Sequence, residues 1–404
     1  MKSIQGKYLL VILALCGVIS AAIGITNNSA GIFFTPMAED FGVGRASTGL
    51  TLTILNIVFS IAGMICPGVM KKIRMKPYMI LCTAVLAGST FAISLCKSIW
   101  PVYILSALRG FAAGMIGFVF ITMVLNNWFV SRNALVTSVV LGFSGISGAI
   151  LSPVLNSAIT SKGWRTAMAA AAVLTVVLCL PSILFPIDMK PEMVGEKALG
   201  ADEVKSTDTG VNVSKKKILM PVLGIMMLFS VLSGICTSMS QYFPSISESF
   251  GMASGIGALM VSACMAANTC GKILLGTLIE KIGSRISMIL FSGLVILGAF
   301  CVMTMHSTVF MLAGAALMGL VYSLATVGVV VKTKEMFGVD SYASVYPKAA
   351  MANTLAAAAG PSLYGAVFDM TQSYIPSLIM VMVFMAGELA IVILTAGKSG
   401  VEEG

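Results

Sequence analysis

The sequence predicts an all-α membrane protein of twelve transmembrane helices, arranged as two six-helix pseudo-repeats with both termini on the cytoplasmic side. Three observations predict it. Of 404 residues, 58% are hydrophobic and only 10% are charged, whereas a soluble domain carries about 25% charged residues. The apolar residues fall in long continuous runs. The basic residues collect between those runs on one side of the implied membrane. The composition excludes a soluble enzyme, a disordered chain and a coiled coil. The formal charge of +9 does not build a phosphate-binding face, because the charges are few and scattered, so no nucleic-acid partner is expected.

A membrane helix needs roughly 20 mostly apolar residues. Twelve such runs are read at about 8–37, 45–70, 77–96, 100–128, 133–160, 165–187, 218–247, 253–279, 286–305, 307–331, 341–368 and 374–396. The strongest breaks are Met70–Pro77, Asp188–Lys217, Glu280–Arg285 and Lys332–Asp340. Barrel strands would be about ten residues long and alternating. These runs are longer, unbroken and rich in Gly, Ala, Leu and Met. The first run follows Lys2 and Lys7 but continues past Phe34, far beyond the 7–15 apolar residues of a signal peptide. It is expected to stay as a span.

Orientation follows from the basic residues. With both termini inside, four of the 25 stand outside (Arg45, Lys97, Lys162 and Arg165), three lie within spans (Arg109, Lys272 and Lys348), and the other 18 are cytoplasmic. The positive-inside rule selects that orientation, and the cell (inner) membrane is the expected location.

The longest polar stretch, 188–217, has 6 Lys against 6 acidic residues and no apolar period. It reads as a solvated cytoplasmic linker between halves 1–187 and 218–404. The halves echo each other. Phe34, Phe41 and Gly42 return as Phe243, Phe250 and Gly251, and Gly49, Gly63 and Gly68 as Gly257, Gly271 and Gly276. Parallel six-helix repeats are a transporter architecture, with the substrate site between the halves near mid-membrane.

The informative charges are the ones topology does not explain. A lysine in hydrocarbon costs at least about 2.5–3.5 kcal/mol. Lys272 lies eight residues before Glu280, and Lys348 eight after Asp340. At 1.5 Å per residue each is roughly 12 Å inside the membrane, a stretch for a lysine snorkelling to the headgroups. No acid in helices seven to eleven matches their depth. Two uncompensated cations in a low-dielectric cavity form an anion site. Pro347, beside Lys348, can loosen the helix there. Arg109 is also deep; it suits either an anion or carbonyls between helices. Asn28, Asn268, Tyr322 and Tyr346 are polar groups in apolar spans. Each is first a helix-packing hydrogen bonder and second a candidate ligand contact. Glu388, in the last span, reads as structural or protonated. The nine Cys show no metal-ligand spacing and there is one His, His306. No phosphate-cradling Gly loop appears. Neither metal, cofactor nor ATP coupling is expected.

The segment Gly271–Lys272–Ile273–Leu274–Leu275–Gly276, continuing to Glu280, Lys281, Gly283 and Arg285, resembles the signature loop between the second and third helices of each half in the major facilitator superfamily. The resemblance implies glycines for close helix approach and an acidic–basic cluster that latches helix ends. The N-terminal copy has Lys71 where the second has Glu280. Arg109, in Leu108–Arg109–Gly110–Phe111, resembles that superfamily's fourth-helix arginine.

A narrower resemblance is to the oxalate/formate antiporter and monocarboxylate transporter branch. It is carried by Trp128–Phe129 through Arg132 to Leu135, then Gly142, Gly145 and Gly148, and by Phe33–Phe34–Thr35–Pro36 with Phe41–Gly42. In the oxalate/formate relatives a basic residue before the eighth-helix glycine loop and a lysine in helix eleven bind substrate carboxylate. Lys272 and Lys348 match those positions. Asn268 stands where the monocarboxylate branch often has an acid, and Ser138 where the fifth-helix signature usually has Gly. The resemblance implies a carrier of small organic anions, mono- or dicarboxylates, exchanging them by alternating access; a monomer is expected. Proton-coupled monocarboxylate symport is the alternative, with protons as co-substrate, and a drug exporter of the same fold a further one.

Overall fold

The computed structural model describes residues 6–70, 72–129, 133–185, 187–199, 220–305 and 307–395. Lys71, Arg132, His306 and residues 200–217 of the expected linker lie outside them. The described residues gather into two compact units, Met1–Val43 with Ile54–Asp208, and Gly44–Thr53 with Thr209–Gly404.

In chain order the helices are α1 (Gly6–Ile19), α2 (Phe34–Phe41), α3 (Arg45–Met70), α4 (Met75–Ser94), α5 (Ile99–Met115), α6 (Phe118–Trp128), α7 (Asn133–Lys162) and α8 (Trp164–Leu184), then α9 (Met220–Thr237), α10 (Phe243–Ser249), α11 (Ser254–Ile282), α12 (Ser284–Thr304), α13 (Thr308–Gly319), the single turn α14 (Val321–Ser323), α15 (Val329–Thr371) and α16 (Ile375–Leu394). α1 continues as a π-helical stretch over Ser20–Asn28. The all-helical fold agrees with the expectation. Among the described residues eleven helical segments are long and apolar enough to cross a membrane. The expected twelfth, 341–368, is helical as well and forms the second arm of α15. Its Ala-rich stretch, interrupted by Lys348, Asn353 and two prolines, makes it the least apolar of the set.

Two boundaries differ from the sequence reading. The expected break Lys332–Asp340 is helical up to Gly338, where φ is +71°. Lys332 is therefore not a loop residue: it is buried, and pairs with Glu335 one turn on at 3.4 Å. The linker's first dozen residues, though several are exposed, are tethered rather than free. They dock onto the first unit: Trp128 Nε1 donates to the Asp188 carbonyl at 2.8 Å and Asn127 Nδ2 to that of Met189 at 2.9 Å. Leu199 N donates to the Trp128 carbonyl at 2.9 Å. Tyr8 Oη donates to the Lys197 carbonyl, and Lys7 pairs with Glu196. Polar composition hid this because backbone carbonyls, which carry no sequence signal, accept most of these bonds.

The repeat is visible in backbone packing. α2 ends at Gly42 (φ +63°) and α10 is followed by Gly251 (φ +72°). In the first unit a Cβ on Gly110 would lie 3.0 Å from the carbonyl carbon of Leu55. In the second, a Cβ on Gly319 would lie 3.0 Å from that of Cys264. The two pairs share one offset of 209 residues, so each unit crosses its second and fourth spans at the same point.

Candidate substrate-binding site

Two helices of the second unit carry the unexplained lysines. Lys272 is half-buried on α11. α11 is held in place by Gly319 against Cys264, and by Gly271, whose Cβ position lies 2.7 Å from Ser323 Oγ. Asn268 precedes Lys272 by four residues, which puts both on one helix face. Asn268 is buried; its Nδ2 approaches Met265 Sδ at 4.0 Å, and among the described residues its Oδ1 has no hydrogen-bond partner. Lys272 stands ten residues before the end of α11, and Lys348 ten residues after Gly338. Ten residues of helix put each lysine roughly 15 Å along the axis from that point. Among the described residues neither lysine has an ion pair or a hydrogen bond.

Lys348 is exposed on α15, between buried Val345 and Ala349, and Tyr346 beside it is half-buried. The position of α15 is fixed by α9 and by the 3-10 turn Ser238–Tyr242 that follows it. Asn353 Nδ2 donates to the Ser230 carbonyl at 2.9 Å, Ser238 Oγ to that of Ala357 at 2.6 Å, and Tyr242 Oη to that of Pro361 at 2.6 Å. One polar side chain of this least apolar span, Asn353, is therefore spent on a neighbouring helix, as membrane packing favours.

The other candidates divide. Tyr322 Oη bonds Ser240 Oγ at 2.8 Å and donates to the Thr237 carbonyl at 3.0 Å, tying α14 to the end of α9. Asn28 Nδ2 donates to the Ser144 carbonyl at 2.9 Å. Both work as helix-packing bonds. Arg109 is buried in the first unit, and among the described residues its Nε has no partner. Of the signature loop, Gly271 marks close approach and Gly283 takes φ +83°, but among the described residues nothing lies within 4 Å of a Cβ on Gly276. Glu280, Lys281 and Arg285 are exposed and make no ion pair among the described residues. The acid that ties this corner is one the sequence reading did not single out: Glu335, which accepts from Ser284 Oγ and pairs with Lys332.

A second missed acid is Asp369, near the end of α15. Its Oδ1 and Oδ2 accept from the Arg45 and Ala46 amides, each at 2.9 Å, and so cap the N-terminus of α3. The Arg45 guanidinium lies 4.4 Å over the Phe368 ring and donates to Tyr374 Oη at 2.6 Å. A carboxylate there satisfies orphan amides and meets the positive end of the helix dipole. Asp369→Ala is expected to cost about 0.5–2 kcal/mol as a lost cap. The check is hydrogen exchange at the Arg45 and Ala46 amides, which should speed up while exchange in α8 does not.

The sequence pattern of the Major Facilitator Superfamily matches residues 14–361. The chain belongs to the major facilitator superfamily. Like other members of this superfamily it is a multi-pass membrane transporter, not an enzyme. Among solved structures, the nucleoside transporter NupG superposes with a TM-score of 0.71 over 96% of this chain and 98% of that one, at 13% identity. A bacterial homolog of the human lysosomal transporter Spinster, in an inward-facing and unoccupied conformation, gives a TM-score of 0.68 over 98% and 96%, at 12% identity. At such identities the likeness extends to the fold alone. Among curated proteins, none matches.

Proposed function

We propose that this superfamily member is a secondary carrier for small organic anions, mono- or dicarboxylates, and that it exchanges them by alternating access in the cell membrane with both termini cytoplasmic. One observation carries the reading: among the described residues Lys272 on α11 and Lys348 on α15 have no acidic partner, and each stands ten residues along its helix from the end of α11 or from Gly338. A bound carboxylate supplies the missing charge. If closure requires that charge, return of the empty carrier is penalised, and exchange is favoured over net flux. A neutral nucleoside, the cargo named for NupG, gives no reason for two unpaired cations, and a cationic drug would be repelled by them. The test is counterflow of labelled carboxylates into liposomes that hold unlabelled carboxylate; absence of exchange with every mono- and dicarboxylate tried would refute the reading.

Proton-coupled symport is kept as a second reading because of one residue. Glu388 on α16 is completely buried, and among the described residues no hydrogen-bond donor stands in bonding geometry to either carboxyl oxygen. The hydroxyl of Ser233 on α9 is donated to the Phe229 carbonyl at 2.8 Å. A buried carboxyl without a partner is costly, so the neutral isostere in Glu388→Gln is expected to fold at least as well as the parent. Under the exchange reading this variant keeps full counterflow. Loss of uptake driven by an imposed pH gradient, with counterflow retained, would shift the assignment to symport.

A further inference from the structure

The first unit contains a cavity that the transport reading does not use. It is an open cleft of about 560 Å³ between the end of α3, the turn into α4, α6 and the docked segment after α8, within the 300–1,000 Å³ range of small-ligand sites. Its rim carries Lys72, Arg74 and Lys190, and its walls are largely Met123, Met189 and Met193. The one acid in the lining, Asp188, accepts from the Met189 amide at 2.8 Å. Among the described residues none of the three cations forms an ion pair. The outer wall is built rather than loose: the bonds from Asn127 and Trp128 to the Met189 and Asp188 carbonyls hold it against α6.

Cations at the mouth and methionine thioethers inside select a ligand with an anionic head and an apolar body. Methionine walls adapt to a flexible chain. The cavity lies at helix ends, on the face that the positive-inside reading makes cytoplasmic, where anionic headgroups of the inner leaflet stand. Basic pockets of this kind between transmembrane helices bind phospholipid head groups. We infer that this cavity binds an anionic phospholipid, its phosphate held by Lys72, Arg74 and Lys190 and the start of one acyl chain lying on the methionines, so that the lipid fastens the docked segment to the α3–α4 turn.

The test is native mass spectrometry and thermal unfolding of the purified full chain with phosphatidylglycerol, phosphatidylcholine or inorganic phosphate. Phosphatidylglycerol should give a retained one-to-one adduct and raise the unfolding temperature, and raised salt should weaken both effects. With a factor of about five per cation near the membrane surface, the Lys72→Gln, Arg74→Gln, Lys190→Gln triple variant should bind roughly 100-fold more weakly. Lys76→Gln, an exposed neighbour outside the lining, should bind as the parent does. Equal binding of phosphatidylcholine overturns the inference. So does an unchanged affinity in the triple variant, or a full thermal shift from inorganic phosphate, which would assign the site to a soluble anion. Should the triple variant not fold, the single Lys190→Glu variant decides: unchanged phosphatidylglycerol affinity refutes the site and weakened affinity supports it.

Discussion

Lys348→Ala is expected to reduce carboxylate counterflow by roughly 10- to 100-fold while the protein still folds. The size follows from what is removed. A hydrogen bond to a charged group is worth about 1.5–3 kcal/mol, and each 1.4 kcal/mol is a factor of ten. Folding should survive because Lys348 is exposed and makes no ion pair or hydrogen bond among the described residues. Truncation therefore strands no partner, and it removes an insertion cost of at least about 2.5 kcal/mol. Lys348→Arg keeps the cation and should keep most of the exchange. Lys272→Ala should fall in the same range, and the double variant should fall short of the product of the two, since residues that share one ligand are not additive. Full exchange in Lys348→Ala would remove this lysine from the site.

What the sequence showed of this site, it showed through cost. Lys272 and Lys348 were legible because a cation inside an apolar run demands a reason. The spans were legible because hydrocarbon thickness sets their length. Tyr322 and Asn28 looked equally polar in equally apolar runs, but their roles depend on whether a carbonyl on another helix is in reach: Thr237 for the first and Ser144 for the second. No one-dimensional pattern encodes that. Glu335 and Asp369 were missed for the opposite reason. Both lie near helix ends, where an acid is unremarkable, and their significance comes from partners 51 and more than 300 positions away in the chain. The helical stretch through Lys332 was read as a break because charge density outweighed helix propensity; burial of that lysine against Glu335 reverses the weighting. Gly276 shows the converse error. A glycine in a signature position was expected at a close approach, yet its surroundings are open.

That contrast between glycines sets the largest expected effect on folding. Gly319→Ala and Gly110→Ala should each cut the yield of folded protein severely, whereas Gly276→Ala should be close to neutral. A methyl on Gly319 would lie 3.0 Å from both the carbonyl carbon and the Cα of Cys264, and closer still to the carbonyl oxygen; a methyl on Gly110 meets Leu55 in the same way. These neighbours are helix backbone. Neither can turn aside as a flexible side chain would, so α13 must move off α11, or α5 off α3. Overpacking of this kind costs about 1–3 kcal/mol and occasionally more, and a backbone obstacle belongs at the top of that range. In a membrane the loss is not offset by hydrophobic burial between helices, because lipid is as apolar as the core and close packing is what drives association. The thermal midpoints of the three purified variants provide the measurement. Because the two tight pairs are related by the repeat, Gly110→Ala and Gly319→Ala should lower the midpoint by similar amounts. A large drop for one and none for the other would mean that the two crossings, alike in geometry, are unequal in energy.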